Sequence, residues 1–375
     1  MSDASAHDLQ FRIQLGVRAL PYLADHRVGE VLALPAAAFL EMALAAGTSA
    51  SRGQPCSLAD MSFHELLLLD DETPRTARVT LSAESDSVWR FTIESLRSSN
   101  AGDEHWALHT SGLLRCDQHQ AQPPLVALPE VLARCSAQLS ASEHYTAMRE
   151  RGLHYGPSFQ AVEAIWRRDD EALSQLRLPE TLLGEARLYN IHPVLLDAAI
   201  QSVSATRPAG TEMSLPVGLK SLILYNRPRP RLWSHSIIAE HFDDGSFMAD
   251  ITLIDESGAA VAALRELRIQ PVRQRIAVAS ASPAAPRPGI SSPQLSNDNG
   301  VLEQTLITIW KDVLGIRELD QHERFSDLGG DSITATQIAD RAGRAGLEIS
   351  PKDILETQTI TKLISAINAR KGSAS

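Results

Sequence analysis

The sequence has little cysteine, a deficit of positive charge and no long apolar run, and each shortage closes off a class of function. Its three cysteines, Cys56, Cys116 and Cys135, share no C-x-x-C spacing. An odd number at irregular spacing predicts neither a disulfide framework nor a zinc ribbon, and a reducing cytoplasm is the expected compartment. Lys and Arg number 35 against 46 Asp and Glu, a net charge of -11. That balance opposes attachment to a phosphate backbone or an anionic bilayer, so neither nucleic acid nor membrane is an expected partner. No segment reaches the ~18 uninterrupted apolar residues that a membrane span needs, and the opening MSDASAHDLQFRIQLG has no basic stretch leading into an apolar one. A soluble, unexported protein is expected.

What the sequence does have is enough apolar residue, 43% against 22% charged over 375 residues, to bury cores in two or three folded units. From Gln274 to Asn299, Ala, Ser and Pro replace periodic hydrophobics, with Pro283, Pro286, Pro288 and Pro293 close together. Such composition makes an extended linker that joins no core. It places a front unit at 1–272, a linker at 273–300 and a tail at 301–370. A weaker proline-containing break at Gln118 to Ser142 divides the front unit into halves of about 1–130 and 143–272.

Both halves repeat one order of signals. An apolar helical run comes first, Pro35 to Ala46 in one and Pro193 to Val203 in the other. Short alternating stretches follow: Ala77–Ala83, Val88–Ile93 and His105–Gly112, then Ser236–Phe242, Phe247–Ile254 and Ala260–Ile269. One buried helix wrapped by an antiparallel sheet, made twice, accounts for this order. The tail instead carries helical spacing at 302–314, 332–342 and 360–367, which predicts a small bundle of three or four helices.

Within the tail, Phe325-Ser-Asp-Leu-Gly-Gly-Asp-Ser-Ile333 sets two glycines and then a serine at a helix start. There, glycine permits a tight turn and the helix end offers free N–H groups. In the front unit, His26 precedes an extended apolar stretch ending at Pro35, a residue suited to a first helical turn. On the second helical run Asp197 is the lone carboxylate of an apolar segment, with Gln201 one turn later on the same face. A buried carboxylate needs hydrogen bonds or a role that tolerates a raised pKa. Between them, Gly152-Leu-His-Tyr-Gly-Pro-Ser-Phe-Gln160 reads as a turn whose backbone can approach a ligand.

These segments resemble two known families. The tail resembles an acyl or peptidyl carrier domain of modular polyketide and nonribosomal peptide synthases, through Trp310-Lys-Asp-Val-Leu-Gly315, the 325–333 segment, Arg344-Ala-Gly-Leu347 and Gln358-Thr-Ile-Thr-Lys-Leu363. Its L-G-G-D-S-I form is most similar to carriers of nonribosomal or trans-acyltransferase systems. From about Gln10 to Val272 the front unit resembles the dehydratase domain of modular polyketide synthases. The histidine motif maps to His26 through Pro35, Y-G-P to Tyr155–Pro157 and D-x-x-x-Q to Asp197 and Gln201; His109-Thr-Ser-Gly112 and Leu215-Pro-Val-Gly-Leu219 match further segments.

The resemblance implies an α+β double hotdog followed by an all-α four-helix carrier bundle. It implies that Ser332 bears a covalent 4′-phosphopantetheine arm and that the front unit eliminates water from a β-hydroxyacyl thioester on such an arm. His26 is then the base and Asp197 the acid, with Gln201 orienting Asp197, Tyr155 and Gly156 lying along the substrate and the Ala36 N–H polarising the thioester carbonyl. Residue types fit: an imidazole titrates near neutrality, and a desolvated carboxylic acid can donate. The expected partners are a ketosynthase and other synthase modules, a phosphopantetheinyl transferase and an acyltransferase acting in trans, with a homodimer through the dehydratase unit. Two positions depart from the pattern. Glu30 and Ala36 stand where the family keeps glycine, and Gly29 is the available replacement at the turn.

Overall fold

The computed structural model describes residues 8–85, 87–97, 104–116, 122–207, 212–272, 299–314, 319–320, 322–328, 334–335, 338–339, 342, 347 and 349–372. The chain divides into two compact units, Met1–Val272 and Arg273–Ser375.

In the first half of unit one, alternation of buried and exposed side chains makes strands β1 (Leu9–Leu15), β4 (Cys56–Phe63), β5 (Arg75–Ala83), β6 (Val88–Arg97) and β7 (His105–Cys116), with short β2 (His26–Val28) and β3 (Val31–Leu32) near the start. The second half supplies β8 (Ala137–Ser140), β9 (Leu153–Tyr155), β10 (Val162–Arg168), β11 (Glu171–Arg177), β12 (Ser214–Leu224), β13 (Arg231–His241), β14 (Phe247–Ile254) and β15 (Ala260–Pro271). Twelve of these form one antiparallel sheet in the order β1-β5-β6-β7-β4-β12-β15-β14-β13-β11-β10-β8. The halves meet where β4 pairs with β12, Leu58 opposite Leu222 and Ser62 opposite Gly218.

Two helices fill the sheet's curved inner face. Helix α1 (Ala36–Ala50) lies against β4–β7, and α4 (Pro193–Val203) against β10, β11, β13 and β14. Both are buried nearly all round, as expected of helices enclosed by sheet rather than lying on a surface. The helix wrapped by antiparallel sheet expected twice from the repeated order of signals is therefore present twice, joined into one continuous sheet, as the resemblance to a double hotdog implied. The break at 118–142 holds more than a connection: it contains α2 (Leu128–Arg134) and β8, which pairs with β10 at the sheet edge. Pro35 is the N-cap of α1 rather than its first helical residue, so the helix begins on Ala36.

The cysteine expectation is corrected. Cys56 and Cys116 face each other across the β4–β7 ladder and are joined by a disulfide, with Cα atoms 4.2 Å apart; Cys135 is free and buried. Their spacing in sequence held no sign of this, because the pairing is made by strand register alone. Among the described residues, no helix is long and apolar enough to cross a membrane.

Among the described residues unit two has helices α5 (Asn299–Leu314), α6 (Pro351–Thr357) and α7 (Ile360–Gly372), with further helical residues at 334–335, 338–339 and 342, while α3 (Ala141–Glu150) belongs to unit one. Trp310 and Phe325 are fully buried and meet edge to face at 5.0 Å. The Phe325 and Ser326 N–H groups donate to the backbone and side-chain oxygens of Gln358, which anchors the segment leading into L-G-G-D-S. Ser332 and part of the expected 332–342 helix lie outside the described residues.

Candidate active site

A second, three-stranded sheet, β3-β2-β9, gathers the motifs. Its central strand begins with His26, which pairs directly opposite Tyr155 of β9, so the histidine segment of one half and the Y-G-P segment of the other are register neighbours. The β2–β3 hairpin turns on Gly29 and Glu30, with Gly29 at φ +59°. A two-residue hairpin needs a left-handed residue at its first central position, and Gly29 supplies it. Glu30 is exposed at this turn, and its carbonyl accepts from Arg27. The departure from the family glycine is thus absorbed one residue earlier, and the added carboxylate faces water.

His26 is buried, between the rings of Phe159 at 5.1 Å and Tyr155 at 5.5 Å. Its Nδ1 lies 2.8 Å from the Ala33 carbonyl. A carbonyl can only accept, so Nδ1 is the donor, and in the neutral tautomer this fixes, Nε2 is the nitrogen with the lone pair. That nitrogen faces Asp197 Oδ1 at 3.9 Å. Ala36, three residues past Ala33, opens α1, whose first N–H groups have no intrahelical acceptor.

Asp197 is buried in the middle of α4. Burial pushes its carboxyl above the usual carboxylate range, while nearby His26 and the Gln201 amide pull the other way. Gln201 Nε2 donates to Asp197 Oδ2 at 2.7 Å and to the Phe159 carbonyl at 3.2 Å. Gln201 Oε1 is buried without a hydrogen-bond partner among the described residues. The Tyr155 phenol is held well above its ordinary range by burial first and by Asp197 second. His26, Tyr155, Asp197 and Gln201 are therefore brought together.

Gly156 stands apart from them in one respect. Its N–H is taken by the Asp25 carbonyl at 2.8 Å, so it is bonded within the protein. Its lack of a side chain serves closeness to Asp25: a Cβ there would lie 2.2 Å from Asp25 Oδ1, and its φ of -77° is open to any residue. The remaining motif histidines are structural. His192 caps α4, accepting from the Val194 N–H, and bonds Glu185. His109 is buried against Ser95 and the Glu65 carbonyl, with burial lowering its pKa to about 4. Sequence reasoning passed over Asp25, Tyr145 and Phe159. The first abuts His26 and the last follows Y-G-P, so adjacency was the available signal.

Residues 1–96 match the family described as the polyketide synthase dehydratase domain, and residues 123–277 match the polyketide synthase dehydratase N-terminal domain. Residues 304–367 match the phosphopantetheine attachment site. The chain joins a polyketide synthase dehydratase domain to a phosphopantetheine carrier domain. Its arm is a covalent 4′-phosphopantetheine. A mycocerosic acid synthase-like polyketide synthase of Mycobacterium tuberculosis is 33% identical over 265 residues, covering 68% of this chain and 12% of that protein. The phthioceranic/hydroxyphthioceranic acid synthase of the same species is 28% identical over 341 residues, 88% of this chain and 15% of that protein. The chain thus spans a small part of these curated relatives. The dehydratase domain from the CurF module of curacin polyketide synthase superposes with a TM-score of 0.65 at 27% identity, over 72% of this chain and 96% of that one.

Proposed function

We propose that the dehydratase domain eliminates water from a β-hydroxyacyl thioester, presented on the phosphopantetheine arm of Ser332, to give an α,β-unsaturated thioester. The arm, when attached, supplies the thiol that holds the acyl chain. The observation that carries this reading is the pairing of His26 Nε2, left as a lone pair by the Ala33 carbonyl, with the buried carboxyl of Asp197 at 3.9 Å. The α proton and the β hydroxyl sit on adjacent carbons, so a base and an acid this close serve both ends of one C–C bond. His26 takes the α proton, and the electron pair of that C–H bond becomes the new double bond. The C–O bond breaks as Asp197 gives its proton to the departing hydroxyl, which leaves as water. An imidazolium and a carboxylate remain, and return of the proton resets the pair.

Gln201 holds Asp197 in the orientation that donates. The first N–H of α1, on Ala36, faces the developing charge on the thioester oxygen and favours loss of the α proton. Tyr155 lines the reacting centre beside His26. The working partners are a ketosynthase and further modules, a phosphopantetheinyl transferase that loads Ser332 and an acyltransferase in trans, in a cytoplasmic assembly dimeric through the dehydratase domain.

Intact-mass measurement of the full chain, loaded with a 3-hydroxyacyl arm, tests the reading. Wild type should lose one water from the arm. His26→Ala should lose neither water nor α hydrogen to solvent deuterium, and Ser332→Ala should remain unloaded. A 3-hydroxyacyl arm that keeps its water, while a loaded enoyl arm has its double bond shifted or a loaded hydroxy-enoyl arm closes to a cyclic ether by NMR, would replace dehydration by those chemistries. Inertness to every substrate would make the domain a scaffold.

A further inference from the structure

The base and the acid lie on different halves of the chain, and one five-residue turn touches both. At its first end the Gly156 N–H donates to the Asp25 carbonyl and the Ser158 N–H donates to Asp25 Oδ2, each at 2.8 Å. Asp25 immediately precedes His26. At the far end the Phe159 carbonyl accepts from Gln201 Nε2 at 3.2 Å and from the Tyr145 hydroxyl at 3.3 Å. That hydroxyl in turn accepts from the Val162 N–H at 3.0 Å. Between the two ends the fully buried Phe159 ring stands 5.1 Å from His26. Gln201, the second donor to Phe159, is the group that holds Asp197.

We propose that Asp25 and Tyr145 are positioning residues: they brace the turn at 156–160 from opposite ends and so fix the separation of His26 from Asp197. The chemistry of Asp25 favours this over an ordinary ion pair. Among the described residues it forms no salt bridge, and its carboxylate accepts from the Ser158 N–H, a donor that a tight turn would otherwise leave without an acceptor. The space for that carboxylate exists only because residue 156 lacks a Cβ. Tyr145, on α3, is buried, and its hydroxyl donates to the Phe159 carbonyl of the turn and accepts from the Val162 N–H at the start of β10, tying the turn to that strand. An elimination needs base and acid placed to within a fraction of an ångström, and a misplacement of about 1 Å can cost about 100-fold in rate.

The inference rests on the dehydration reading, so its test includes a readout that does not. Asp25→Ala, Asp25→Asn and Tyr145→Phe would be made in the full chain. Dehydration of a 3-hydroxyacyl-pantetheine and amide hydrogen exchange over residues 156–162 would then be measured. Asp25→Ala should lower kcat by about 10- to 100-fold with KM changed less than about threefold. Asp25→Asn, which keeps an oxygen acceptor for the Ser158 N–H, should recover most of that loss. Tyr145→Phe should lower kcat by about tenfold and, like Asp25→Ala, speed exchange at 156–162 without altering exchange in α4. The proposal is overturned if Asp25→Ala leaves kcat intact, or if Asp25→Asn is as impaired as alanine, which would make charge rather than the hydrogen bond responsible. Unchanged exchange at 156–162 would also overturn it. A wild type inert on all hydroxyacyl substrates would remove the dehydration reading alone, since the exchange result still decides the brace.

Discussion

Each hotdog helix buries one carboxylate, and the two are held in opposite ways. On α1, Glu41 accepts from the Asn190 and Ile191 N–H groups at 2.8 and 3.0 Å and from Asn190 Nδ2 at 3.2 Å. On α4, among the described residues Asp197 has the Gln201 amide and, across a 3.9 Å gap, the imidazole of His26. Burial raises both, Glu41 to about 7. A raised carboxyl therefore does not by itself mark the proposed acid. What separates them is occupancy: Glu41 uses its lone pairs to tie α1 to the segment entering α4, whereas Asp197 keeps an oxygen facing the imidazole of His26 at 3.9 Å.

The largest test of that contrast is Asp197→Asn. The amide keeps the shape and the neighbours but cannot act as the acid, so dehydration should fall by about 10²- to 10⁴-fold. Thermal unfolding at pH 8 should be unchanged or slightly higher in temperature, because an amide carries no charge to bury. A clear drop in stability would assign Asp197 a holding role like that of Glu41.

Glu41→Ala should give the reverse pattern. Three N–H donors lose their acceptor, and two of them are backbone groups at a buried junction. A loss of about 2 to 4 kcal/mol is expected by denaturant titration, with kcat of the folded fraction within about threefold of wild type. Loss of kcat with stability kept would place Glu41 in the chemistry.

A smaller effect appears in pH dependence. Because the Glu41 carboxyl rises to about 7 in the folded protein from an unfolded value of 4.5, the folded state holds the extra proton between those limits. Its contribution to stability is complete below pH 4.5 and is lost as pH rises to 7. Glu41→Gln retains an acceptor and removes the titration, so it should flatten the stability profile across that window. The gain relative to wild type at pH 8 should be about 1 to 3 kcal/mol. Equal slopes in the two proteins would show that the hydrogen bonds to Asn190 and Ile191 offset the cost of burying the charge.

The division between what was legible early and what was not follows the range of the interactions. Periodicity is local, so Pro193–Val203 was read as a helix and Phe247–Ile254 as a strand, and the structure has both. His26, Asp197 and Gln201 stood out because residue type and motif order single them out, and the structure brings the three together. Glu41 drew no notice in an apolar helix, since its partners lie on a segment far along the chain. The Gly156 backbone was expected beside a substrate and is instead bonded to Asp25, a pairing that spacing does not encode.

By itself, then, the sequence determined the two helix-and-sheet repeats, the linker composition at 274–299 and the inventory of groups able to move a proton. Each of these depends on neighbours a few residues apart. Only tertiary structure decided which of those groups meet. Strand register sets His26 opposite Tyr155 and Cys56 opposite Cys116, and helix packing brings Asp197 to 3.9 Å from His26. Two buried carboxylates alike in sequence become one tie and one candidate acid, because the number of donors around each is fixed by contacts between distant segments.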